Sequence, residues 1–221
     1  MPCMLWLGNW QLDKYRLQQA RLADFANDIA LTAAQVRDQP GNLPRFARFQ
    51  QAGRYIAERQ ILIDNIVRNG RNGFFVITPL QLDDGSWRLV NRGWIAQSPR
   101  REPLAALSVD NKARILEGRV GALPVGGLKL GEQPEVVSEW PVVLQYPTLQ
   151  DVERLLGQPL QADVLLLSPQ AEDGFERQWS AGGLPPERHL GYAVQWFAMS
   201  AALTVLMLIM VFRNKRTEHA S

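Results

Sequence analysis

The chain has 221 residues, enough for one domain with a sizeable core or for a domain plus a membrane segment. A formal net charge of +2 excludes the basic footprint of a nucleic-acid binder. The single cysteine, Cys3, excludes an intrachain disulfide and any CxxC redox or thiolate pair, and the two histidines, His189 and His219, exclude a multi-histidine metal site within one chain.

The first segment, MPCMLWLGNWQL, is apolar but too short to span a bilayer. It also lacks the basic start and the cleavage site of a signal peptide. Two readings remain for it. A C-terminal helix inserts alone and the domain is exported by its tail, or residues 1–10 are the remnant of a first transmembrane helix. The second is preferred, because Trp6 and Trp10 are the residue type that an interfacial belt uses. Over Gln11 to Leu31, apolar residues at 12, 15, 22, 25, 26 and 29 form a helical stripe opposite a charged face. RDQPGNLPRF then breaks it with two prolines and a glycine.

Five β-like runs follow, at 59–67, 74–80, 87–95, 113–121 and 162–168, separated by turn signals such as RNGRNG and DDG. TLQDVERLLG (148–157) reads as one short helix, with Thr148 as N-cap, Asp151 at the capping-box position and Gly157 as the stop. The Gly/Pro-rich stretch 123–141 reads as a surface connection. Together these predict a small antiparallel barrel-like or sandwich domain with flanking helices.

Leu190 to Phe212 carries no formal charge over 23 residues, or about 35 Å of helix against a hydrocarbon core about 30 Å thick. A transmembrane helix over 188–212 is expected; the competing reading is a buried helix of a soluble core. RNKR (213–216) follows directly, and short basic tails stay cytoplasmic, so residues 213–221 form a cytoplasmic tail and the domain at 11–187 lies on the far side. Arg177 and Arg188 place positive charge on that far side too.

Catalytic signatures are missing: no GxSxG, P-loop, HExxH or dinucleotide fingerprint occurs. An enzyme is therefore not expected. Asp83 and Asp84 fall in a turn and read as solvated, and His219 lies in the tail beside Glu218. NRGW (91–94) stands out. Arg92, between β-forming residues and next to Gly93 and Trp94, reads as a strand-end cation pairing with a carboxylate such as Asp64 or Glu117, or as a partner contact.

The segments LGNWQLDKYR (7–16), GFFVITPL (73–80), RLVNRGWI (88–95) and RHLGYAVQWFAMSAA (188–202), in this order, resemble the Surfeit locus protein 1 family of cytochrome c oxidase assembly factors. Residues 122–160 match poorly, so nothing is carried over there. The resemblance implies two membrane helices bracketing an exported β-rich domain, with both termini cytoplasmic. In a bacterium this places the protein in the inner membrane with its main domain periplasmic. Most of the first helix is absent by this pattern, with a misplaced start codon as the simplest account. The implied role is to help haem a enter the catalytic oxidase subunit, a partner alongside the lipid bilayer, with haem a synthase as a further one. The implied haem ligand is the histidine that opens the second helix, His189.

The physics of that position is compatible with a ligand. Neutral imidazole binds iron, and Tyr192, Ala193 and Trp196 follow at i+3, i+4 and i+7 on one helix face, where they could wall a porphyrin plane. Met199 is ten residues on, about 15 Å along the axis, so it cannot be the second ligand of the same iron. A single ligand suits transient binding. The bland alternative is that His189, Tyr192 and Trp196 are interfacial anchors and the protein is a scaffold that never touches haem.

Overall fold

A computed structural model describes residues 2–39, 41–97, 107–124 and 139–218, with side chains of the last helix described through Arg213. The chain divides into two compact units, one formed by residues 1–26 and 180–221 and the other by Asn27–Trp179.

The second unit is built on one seven-stranded sheet: β1 (Arg48–Tyr55), β2 (Ile61–Arg68), β3 (Arg71–Gln81), β4 (Trp87–Ala96), β5 (Arg114–Gly121), β6 (Val142–Leu144) and β7 (Val164–Leu167). Its order is β1-β5-β7-β4-β3-β2-β6, and β1 pairs again with β3 through Arg54↔Gln81 and Tyr55↔Leu80. The expectation of a purely antiparallel set is corrected: β6 runs parallel to β2, and β7 runs parallel to β4. The reason is chain path. β6 and β7 flank the helix α3 (Leu149–Leu156), and each joins the sheet beside a strand that is distant in sequence.

Local signals explain the ladder. Arg68 pairs with Arg71 across Asn69 and Gly70, both at positive φ (49° and 72°), which is the two-residue hairpin that Asn-Gly favours. α3 carries the expected box: Thr148 accepts from the Asp151 N–H, the Asp151 carboxylate accepts from the Thr148 N–H at 2.9 Å, and Gly157 ends the helix at φ 68°. Three elements are unanticipated, the three-residue β6 among them. α2 (Ala33–Asp38) is capped by Thr32 and Gln35 in the same reciprocal way, and β1 is a strand despite RFQQAGRY offering little apolar alternation.

Two main apolar clusters result. Phe49, Tyr55, Leu80, Val90, Leu116, Val120, Leu165 and Leu167 pack in one, with Val36 of α2. Ile61, Ile63, Ile77, Leu89, Leu144 and Val164 pack in the other, under Val152 and Leu156 of α3. Neighbours Leu89 and Val90 belong to different clusters, as the alternation of a strand requires.

The first unit holds α1 (Pro2–Ala26) and α4 (Pro186–Glu218). The apolar start and the striped segment that follows it are one continuous helix, which ends at Ala26 rather than Leu31. Pro186–Arg213 is long and apolar enough to cross a membrane, with a mean hydropathy of 2.0 over its most apolar window and only 6% of that window buried. A soluble core helix would be mostly buried, so the core-helix reading does not describe α4.

Candidate functional site

In the helical unit the covered positions repeat at three and four residues on both helices. Met4, Gly8, Gln11, Tyr15 and Gln18 are buried or half-buried on α1, and Pro186, His189, Ala193, Trp196 and Ser200 on α4. Facing stripes at this spacing let two helices interdigitate. Gly8 leaves room for a close approach: a Cβ there would lie 2.6 Å from Phe197 Cε1. At the other end, the buried Gln18 amide donates to the Gly182 carbonyl.

Between these two fixings lies a polar pair. His189 Nδ1 is 2.9 Å from Gln11 Oε1. In the Nδ1–H tautomer the ring donates to this oxygen and Nε2 keeps its lone pair. The segments LGNWQ and RHLGY, which sequence reading treated as separate motifs, thus meet through their polar residues. His189 is half-buried, Tyr192 is exposed, Trp196 is half-buried and Ala193 is 1% exposed. Ala193 therefore packs inside the unit, while Tyr192 flanks the covered stripe.

NRGW occupies a different place, in the β-rich unit. Phe75 pairs with Trp94 and Ile77 with Asn91, so Arg92 and Gly93 together oppose the single residue Val76. This is a β-bulge, and Gly93 sits in it at φ 117°, where a Cβ would come within 2.9 Å of the Glu176 carbonyl. The segment that follows β7 closes onto the bulge. Phe175 N–H donates to the Arg92 carbonyl at 2.7 Å, Trp94 N–H donates to Glu176 O at 2.8 Å, and the Trp94 indole donates to Ile66 O at 2.9 Å.

Arg92 is 3% exposed, and its partners are not Asp64 or Glu117. Nε donates to Asp173 O at 2.8 Å, and Nη1 donates to Leu107 O at 3.0 Å and Gln60 Oε1 at 3.1 Å. Its guanidinium lies 5.0 Å from the Phe175 ring and 5.6 Å from the Tyr55 ring. The correction has a simple cause: Glu117 is exposed on its strand, and Asp64 is turned to the Asn65 N–H. Burial lowers the Arg92 pKa, against the attraction of Tyr55 and Asp173. It also pushes the Tyr55 hydroxyl up, against the pull of Arg92. Arg114 completes the group with ion pairs to Asp110 and Asp173. This cluster holds β4 to the segment after β7.

Sequence reading missed Gln11, Gln18 and Gly8 as parts of a site. The available signal was that Gly8, Gln11 and Gln18 follow one another at three and seven residues, on one face of a helix. His219 lies outside the described residues.

The two units define a mixed α+β protein with, among the described residues, one helix long and apolar enough to cross a membrane and a histidine–glutamine pair at the opening of that helix. A family model described as the SURF1 family matches residues 1–201, and the chain belongs to that family. Relatives agree. A SURF1-like protein of Rickettsia bellii (strain RML369-C) is 23% identical over 92% of this chain and 84% of its own length. Surfeit locus protein 1 of Arabidopsis thaliana is 26% identical over 90% of this chain and 72% of its own length. A SURF1-like protein of Dictyostelium discoideum is 33% identical, but over 42% of this chain and 39% of its own length.

Proposed function

We propose that the protein is a membrane-anchored biogenesis factor that assists haem a insertion into the catalytic subunit of cytochrome c oxidase, with His189 as the residue that would hold the haem iron transiently. Membership of the SURF1 family, which is linked in general to cytochrome c oxidase assembly, supports the oxidase as partner. The observation that carries the haem reading is the position of His189 in the first turn of the candidate span, with Nδ1 engaged and Nε2 left over. Such an imidazole would hold a haem iron through Nε2. Haem would supply only the iron and the macrocycle; Tyr192 and Trp196 lie on neighbouring turns of the same helix, where they could border its plane.

The β-rich unit lies, on this proposal, on the periplasmic side of a bacterial inner membrane, opposite the basic tail at 213–216, and docks the partner subunit. No catalytic turnover is assigned, and haem a synthase is the natural donor. The test is the haem a content of oxidase isolated from a strain lacking the gene. The native gene restores it and the His189→Ala gene does not; full restoration by His189→Ala refutes the haem role and leaves a scaffold.

A further inference from the structure

We infer that Gln11 is the positioning residue of His189: its side-chain oxygen holds the imidazole as the Nδ1–H tautomer, so that Nε2 is the nitrogen offered to a metal. This rests on the haem reading for its purpose but not for its first measurement.

Two observations and one chemical rule carry it. The contact is direct, at 2.9 Å, and joins residues 178 apart in sequence. An acceptor on Nδ1 decides the tautomer, and a hydrogen bond to the non-ligating nitrogen raises the donor strength of the ligating one. Finally, the register is fixed on both sides of the pair. Gly8 meets Phe197 on one side, and Gln18 donates to Gly182 on the other. The two fixings are ten residues apart on α1, about 15 Å, and Gln11 sits between them. A one-turn slip of α1 along α4 would lose both fixings and the pair together. A surface anchor needs none of this, because a helix-end histidine facing lipid headgroups has no use for a half-buried amide on a second helix.

The role makes Gln11 and Glu alike and Leu different. A carboxylate at residue 11 still accepts from Nδ1–H, and more strongly. A leucine fills similar volume and accepts nothing, so the ring is free to adopt the Nε2–H form that imidazole side chains prefer in water.

The experiment uses the full chain in detergent micelles, labelled with 15N-histidine. With two histidines in the sequence, the His189→Ala variant identifies each signal. Without haem, above the titration range of imidazole, His189 of the native chain is expected to show a protonated Nδ1 and an unprotonated Nε2. Gln11→Glu keeps that pattern and Gln11→Leu shifts it toward Nε2–H. Hemin titration then reads the consequence: Gln11→Leu weakens binding about 10- to 100-fold, and Gln11→Glu restores it. A native Nε2–H form, or a tautomer unmoved in Gln11→Leu, overturns the proposal even if His189→Ala abolishes haem binding. If the tautomer shifts as expected while the native chain binds no hemin, the positioning role stands and the haem reading falls.

Discussion

Arg88 and Arg92 lie four residues apart on β4, and both are buried, at 1% and 3% exposed. Their replacement by methionine should give opposite results. Arg92→Met withdraws the donor from Asp173 O, Leu107 O and Gln60 Oε1 at once. Gln60 Nε2 still donates to Leu107 O and Thr78 Oγ1 still donates to Gln60 Oε1, so of the three acceptors Asp173 O is the one left without a donor, and the loss should be about 2–3 kcal/mol. For a chain of this size that lowers the melting temperature by roughly 4–12 °C. Among the described residues, Arg88 has no hydrogen-bond partner for Nε or Nη1. What offsets its burial is the Phe49 ring, 5.0 Å away, and attraction to Asp163 and Asp84. Methionine keeps the ring contact and removes the cost of a desolvated charge, so Arg88→Met should stay within about 1 kcal/mol of the native protein. Thermal unfolding of the full chain in micelles, followed by near-ultraviolet circular dichroism, measures both. Equal destabilisation by the two variants would refute the reasoning, because it would mean that burial and not hydrogen bonding decides the value of these arginines.

Further outcomes are expected from the same structure. Gly93→Ala forces a Cβ toward the Glu176 carbonyl at a φ of 117°, and should cost about 1–3 kcal/mol, read as a lowered unfolding midpoint. Thr148→Ala removes the N-cap of α3 and should cost about 1 kcal/mol in the same assay. Burial raises the Asp163 pKa, against the attraction of Arg88 and the Gly41 and Leu43 N–H groups. The folded state therefore holds this proton more tightly than the unfolded state. Its contribution is fully present below the unfolded carboxylate pKa and is lost as pH rises through the raised one. Stability of the native protein relative to Asp163→Asn should accordingly fall as pH increases across that window; a rise would contradict the assignment.

Much of the β-rich unit could be read from local chemistry. The Asn-Gly hairpin, the capped helix at 149–156 and the apolar runs that became β2, β3, β4, β5 and β7 each declare themselves within ten residues. β1 and β6 do not. Gln50 and Gln51 in β1 give no apolar alternation, and pairing with β5 decides its state. β6 has three residues and exists by lying parallel to β2. For the site, the helical position of His189 was legible, but its partner was not: Gln11 is one of several glutamines on α1, and only the meeting of the two helices distinguishes it. Arg92 was recognised as needing a partner, and a carboxylate was the wrong expectation because a buried guanidinium can be satisfied by a fork of carbonyl oxygens and aromatic faces.

The central claim is tested most directly by the visible absorption of the full chain purified from a host that makes haem a. The account predicts a haem band in the native protein and its loss in His189→Ala, with the near-ultraviolet signature of the β-rich unit unchanged. An equal band in His189→Ala, or none in the native protein, would contradict it.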